Sequence, residues 1–122
     1  MAIRTRLIGV LFLISIPAGA DERLALTVSP TVSFAPAHLI VRARIATVPE
    51  NRALRIPADS EDFYRASEVQ LDGDKAARVN TFEFRSVPSG SYAVTAILLA
   101  AGGRERATAR TQVNVFGDGH NR

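Results

Sequence analysis

Apolar and polar residues alternate with a period of two along most of the chain after residue 23. In His38–Ala46, four apolar side chains occupy every second position, and Arg42 and Arg44 face the other way. This alternation is typical of a strand with one buried face, so it predicts about seven strands and no amphipathic helix. The predicted strands cover residues 24–29, 38–46, 52–56, 64–71, 79–85, 91–99 and 104–116, with a short extra piece at 32–34.

Turn residues separate these strands. We expect Pro57 to end one strand, because proline cannot donate to a sheet ladder, and residues 57–62 to form an acidic loop. Gly73 and the Ala101–Gly103 segment predict tight turns. Ser91–Leu99 is apolar on both faces, which favours a central strand.

Many short strands with regular turn signals predict a single all-β domain, in which two sheets cover each other's apolar faces. We place this β-sandwich at residues 21–116, followed by a flexible polar tail at 117–122.

A short motif resembles known sandwich families. Phe82-Glu83-Phe84, followed by residues 87–94 with Gly90 and Tyr92, resembles the last hairpin region of immunoglobulin-like and fibronectin type III-like domains. The resemblance implies an immunoglobulin-like β-sandwich with Phe82 and Phe84 in the core and Tyr92 as a tyrosine corner. A transthyretin-like strand order stays open. The absence of cysteine and tryptophan excludes an antibody-type domain.

The first twenty residues are typical of a secretory signal peptide. Arg4 and Arg6 precede the apolar run Leu7–Ile16, and Ala18–Ala20 supplies a small-residue cleavage site. The apolar run is about half the length that a membrane-spanning helix needs, which argues against an uncleaved anchor. We therefore expect a periplasmic or secreted protein, with no membrane span in the mature chain.

Charge and composition exclude several partners. The net charge is +3, but loss of Arg4 and Arg6 leaves 13 basic residues against 12 acidic ones, which argues against nucleic-acid binding. No cysteine is present to form a disulfide or act as a nucleophile. His38 and His120 are the two histidines and no Gly-x-Ser-x-Gly elbow occurs, so we predict no catalytic residue.

Two acidic clusters are candidates for calcium, the hard cation that loop carboxylates bind. Asp59, Glu61 and Asp62 form one, and Asp72 and Asp74 flank Gly73 in the other. Neither matches the twelve-residue calcium loop, and ordinary turn chemistry explains the second, so we predict no metal ligand and no cofactor.

Arginines form a second candidate surface. Arg42 and Arg44 share one strand face, as do Arg106 and Arg110 on the last strand. If both strands lay in one sheet, the four could bind an anionic partner, because guanidinium grips carboxylate or phosphate bidentately. A merely solvated sheet face is the favoured alternative.

Phe63, Tyr64 and Arg65 are residue types enriched at protein interfaces. The alternative is that the aromatic rings only cover an open end of the sandwich. We therefore expect a non-catalytic module that contacts an unidentified envelope or extracellular protein through residues 57–71 or a free sheet edge. The alternatives are an inhibitor or accessory module of an envelope enzyme, a small ligand- or calcium-binding domain, and a small hydrolase or metal-dependent enzyme.

The signal peptide predicts that the exported chain begins at Asp21. Small side chains at Ala18 and Ala20 suit signal peptidase, so cleavage should follow Ala20. N-terminal sequencing of protein from a periplasmic extract measures this directly. A chain that still begins at Met1 would contradict the prediction.

Overall fold

The structure is a computed structural model that describes residues 23–117. The predicted signal peptide, residues 118–122 of the predicted tail, and His120 lie outside the described residues. Within the described part, no helix is long and apolar enough to span a bilayer.

Eight β-strands and two short 3₁₀ turns make up the described chain. The strands are β1 (Leu24–Ser29), β2 (Val32–Phe34), β3 (Ala37–Ile45), β4 (Ala53–Asp59), β5 (Tyr64–Gln70), β6 (Val79–Val87), β7 (Gly90–Leu99) and β8 (Glu105–Phe116). The 3₁₀ turns cover Gly73–Lys75 and Ala101–Gly103, both predicted as turns. The prediction of an all-β domain is therefore confirmed.

The strands form two sheets. One has the order β1-β3-β6 and is antiparallel throughout. The other has the order β2-β8-β7-β4-β5, with a parallel pairing between β2 and β8. The chain thus leaves the first sheet after β1, adds β2 to the edge of the second sheet, and returns as β3. The expectation that Ser91–Leu99 is central is confirmed, because β7 pairs with both β4 and β8.

The core lies between the two inner faces, which receive every second side chain of each strand. In β3, for example, Leu39, Val41 and Ala43 are fully buried, and Arg42 and Arg44 are exposed. The largest fully buried side chains are Tyr92, Phe84, Leu24, Leu39, Ile45, Leu54, Ile56 and Leu98.

The expectation that Pro57 ends a strand is wrong. Pro57 pairs with Ala66 inside β4, and the strand runs on to Asp59. Towards β7, the pairing of β4 is interrupted at Ile56 and Pro57 and resumes at Ala58. The missing N–H therefore falls where no ladder bond is made, and the predicted acidic loop shrinks to a short hairpin connection.

A buried asparagine ties the two sheets together at one end of the sandwich. The Asn51 side chain has no exposed surface. Its amide donates to the Ala46 carbonyl just after β3, at 2.9 Å, and accepts from the Arg106 guanidinium of β8, at 2.8 Å. Its backbone carbonyl accepts from the N–H of Gly73 and the guanidinium of Arg52. One residue thus joins the end of the small sheet to the large one.

Gly73 belongs to this junction for a steric reason. Its φ is +53°, and a Cβ there would lie 3.0 Å from the Pro49 carbonyl oxygen. A larger residue would therefore strain the turn and push it away from the Asn51 carbonyl.

Asn51→Ala should lower the free energy of unfolding by about 2–3 kcal/mol, because it removes two side-chain hydrogen bonds and leaves their partners unsatisfied. Denaturant titration followed by circular dichroism measures the change. Asn80→Ala is the matched control: Asn80 makes one exposed hydrogen bond to the Ala77 carbonyl, so its loss should cost under about 1 kcal/mol. Equal costs for the two variants would contradict the junction role of Asn51.

Candidate functional site

The outer face of the three-stranded sheet carries a shallow groove of about 280 Å³. It is lined by Ala25 and Thr27 of β1, Arg42 and Arg44 of β3, and Val79 of β6. The register explains the grouping, because Arg44 pairs with Ala25 on one side and Val79 on the other, and Arg42 pairs with Thr27. Short side chains on both flanking strands leave the space between the two guanidiniums open.

Neither Arg42 nor Arg44 makes a hydrogen bond or an ion pair with any described residue. Both side chains are exposed and lie two positions apart on one strand, about 7 Å along it. Their charges add, because no described carboxylate offsets either of them.

The acidic residue on the same face is already engaged. Glu83 of β6 pairs in register with Ile40, one step along the face from Arg42. Its carboxylate accepts from the Arg85 guanidinium at 3.0 Å and lies 3.6 Å from His38 Nε2. The hydrogen bond from Arg85 is the main cause that holds the pKa of Glu83 below its ordinary value. Glu83 is therefore paired with Arg85, and Arg42 and Arg44 give the groove a positive charge.

The expected four-arginine patch does not form. β3 belongs to the three-stranded sheet and β8 to the five-stranded one, so their outer faces point to opposite sides of the sandwich. Arg106 is also committed to Asn51. The candidate anion site consists of Arg42 and Arg44 alone.

The structure places Phe63, Tyr64 and Arg65 on two sides of the sheet. Phe63 packs edge-on against the buried Tyr92 ring, with centroids 6.1 Å apart. Arg65 lies over the Phe63 ring and donates to the Arg85 carbonyl of β6 at 2.6 Å. Tyr64 points to the opposite face because successive strand residues alternate. The three side chains therefore do not share one surface.

The residues singled out as structural lie in or against the core. Phe84 and Tyr92 are buried, and Phe82 is half-buried against the same cluster. The Tyr92 hydroxyl donates to the Pro88 carbonyl four residues upstream, at 2.8 Å. Gly90 lies close to the Tyr92 ring and to Ser60, because a Cβ built at Gly90 would be 3.2 Å from that ring and 3.3 Å from the Ser60 hydroxyl.

Two features carried no signal strong enough to be noticed in the sequence. The Asn51–Arg106 contact joins residues 55 positions apart, and nothing local marks either of them. The exposed pair Phe34 and Phe116 comes together because β2 pairs with β8, which strand periodicity does not reveal.

The acidic clusters considered for calcium do not assemble into a metal site. Within residues 23–117, no three His, Cys, Asp or Glu side chains lie close enough to hold an ion. His38 lies beside Glu83, but no third potential ligand joins them among the described residues.

No protein-family model matches the sequence, and no curated protein matches it significantly. Among solved structures, the fold is similar to that of a superoxide reductase (neelaredoxin) from Ignicoccus hospitalis. The TM-score is 0.61 at 17% identity, and the match covers 76% of this chain and 80% of the other. At this identity, the likeness concerns the fold.

This likeness corrects two predictions. The resemblance to immunoglobulin-like and fibronectin type III-like domains is wrong as a family assignment, because the structural likeness found is to superoxide reductase. The prediction of a non-catalytic contact module, with its inhibitor and small ligand- or calcium-binding alternatives, is likewise contradicted, because a protein of similar fold is an enzyme. The motif of the Pro88 turn and Tyr92 indicates a packing geometry that several families share, so it does not identify one family.

One-electron chemistry on superoxide requires a redox group, because ordinary side chains do not supply it. Such a metal is bound by imidazole, thiolate or carboxylate ligands. The chain has no cysteine, and the described residues bring no three such ligands together. The described residues therefore do not assemble the ligand set of a redox metal centre of this kind, and the likeness is one of fold.

Proposed function

We propose that this domain binds an anionic ligand in the groove between Arg42 and Arg44. The observation that carries the proposal is the pair of guanidiniums without a described partner on one face of the three-stranded sheet. On the same face, the carboxylate of Glu83 accepts a hydrogen bond from Arg85.

Guanidinium suits this task because its donors form a planar fork that matches carboxylate and phosphate oxygens. Two such forks, on side chains whose backbone positions lie about 7 Å apart along β3, can bind two oxygens of one polyanion, or two neighbouring anionic groups. Thr27 adds a hydroxyl donor to the same groove. Ala25 and Val79 provide apolar walls beside the two guanidiniums.

The name of the structural neighbour states that it reduces superoxide, which is itself a small anion. Arg42 and Arg44 could attract such an anion, which is the binding step of that chemistry. The proposal is limited to binding, because the described residues do not assemble a redox centre.

Arg42→Ser/Arg44→Ser should weaken binding of inorganic pyrophosphate or citrate at least tenfold, because it removes both positive charges from the groove. Isothermal titration at low ionic strength measures the affinity, which should also fall as salt is added. Both side chains are exposed, so the free energy of unfolding should change little.

Arg110→Ser is the matched control, since Arg110 is exposed on the outer face of the other sheet and should leave the affinity unchanged. A wild-type chain that binds neither anion contradicts the proposal. Equal affinity in the double variant and the wild type contradicts it as well.

A further inference from the structure

A second, chemically different surface lies on the outer face of the five-stranded sheet. The parallel pairing of β2 with β8 sets Val32 beside Asn114 and Phe34 beside Phe116. Val32, Phe34 and Phe116 are 60%, 68% and 52% exposed. The two phenyl rings contact each other with centroids 6.2 Å apart and planes tilted by 52°. They hold each other in place and leave aromatic surface open to solvent.

A row of neutral polar groups continues from these rings along the sheet. The Gln112 amide donates to the Ser91 hydroxyl at 2.6 Å, and that hydroxyl donates to the Asn114 carbonyl oxygen at 3.1 Å. This relay fixes both amides. It leaves the Asn114 side-chain nitrogen and the Gln112 side-chain oxygen without a partner among the described residues. The face therefore offers oriented donors and an oriented acceptor.

We propose that this surface binds a neutral oligosaccharide. The aromatic–amide face, as we name it, consists of Val32, Phe34, Ser91, Gln112, Asn114 and Phe116. Phenyl rings accept the apolar C–H face of a pyranose by stacking, and carboxamides pair with sugar hydroxyls as both donor and acceptor. The face has both kinds of group side by side.

Its lack of charge and its length select the ligand. None of the six side chains is ionisable, and the next charged side chain outward along β8 is Arg110, one step beyond Gln112, so a charged ligand would find no counter-charge within the six residues themselves. Phe116, Asn114 and Gln112 occupy alternate positions of β8, so the row spans about 14 Å. A short linear saccharide matches that span.

A second copy of the chain or a partner protein fits the face less well. Stable protein interfaces bury about 800 Å² on each partner and are apolar at their centre. Here three apolar side chains border directly on an amide row whose free donors and acceptor a protein core would leave unsatisfied. A saccharide satisfies both halves at once.

Titration of the full chain with cellohexaose, chitohexaose and xylohexaose, followed by calorimetry and saturation-transfer NMR, tests the proposal. We expect at least one hexasaccharide to bind. Phe34→Ser/Phe116→Ser should abolish that binding, and Asn114→Asp should weaken it at least tenfold. Asn114→Asp keeps the side-chain shape and removes the two amide donors, so it separates a lost ligand contact from a lost fold.

Two matched controls make the result specific. Tyr64→Ser removes another exposed aromatic ring at the far edge of the same sheet, and Arg42→Ser/Arg44→Ser alters the opposite face. Both should bind the saccharide like the wild type.

Three outcomes would overturn the proposal: no binding of any of the three hexasaccharides, binding that survives in both face variants, or a wild-type dimer that Phe116→Ser dissociates. The last result would show that a second copy covers the face.

Discussion

The sandwich depends on joining two sheets that share no backbone ladder, and Asn51 makes that joint at one end. Packing of apolar side chains holds most of the two sheets face to face, and it fixes their spacing better than their relative rotation. The buried Asn51 amide donates to the Ala46 carbonyl and accepts from the Arg106 guanidinium, and this demands one geometry, because any shift leaves a polar group unsatisfied in the interior. The same bond removes Arg106 from the surface chemistry, since its guanidinium is occupied.

A second joint closes the edge between β5 and β6. Arg65 reaches from the large sheet to the Arg85 carbonyl of the small one, and its guanidinium lies on the Phe63 ring. Phe63 in turn packs on Tyr92, whose hydroxyl holds the turn at Pro88. Aromatic and arginine residues in a hairpin resemble an interface in the sequence, because interfaces and sandwich edges use the same amphipathic side chains. Arg65 points inward, to the Arg85 carbonyl and the Phe63 ring, and this direction is what distinguishes a sandwich edge from an interface here.

Strand positions were predictable because burial of one face imposes a period of two, as in β3 and β7. Membership of a sheet was not predictable in the same way. β2 is three residues long, and its pairing with the far end of the chain depends on how the whole sandwich closes. The place of Pro57 inside a strand was not predictable from the sequence. A proline weakens a sheet only where its missing N–H would have made a ladder hydrogen bond, and the local sequence does not show where those bonds fall. The Arg42–Arg44 pair was visible as a pattern, whereas its separation from Arg106 and Arg110 required the topology.

The two outer faces differ in chemistry although one core constrains both. Inward positions must be apolar and of matched size, so they preserve the scaffold, and outward positions are free of that requirement. This division explains how a fold can be similar to that of a superoxide reductase at 17% identity without the ligand set of a redox metal among the described residues. On the small sheet, the free positions carry two guanidiniums whose charge no described carboxylate offsets. On the large sheet, the aromatic–amide face carries phenyl rings and amides, and Arg110 is the next outward residue of β8 beyond it. Two faces of such unlike chemistry suit two unlike ligands, and because the rigid core separates them, each can be altered without disturbing the other.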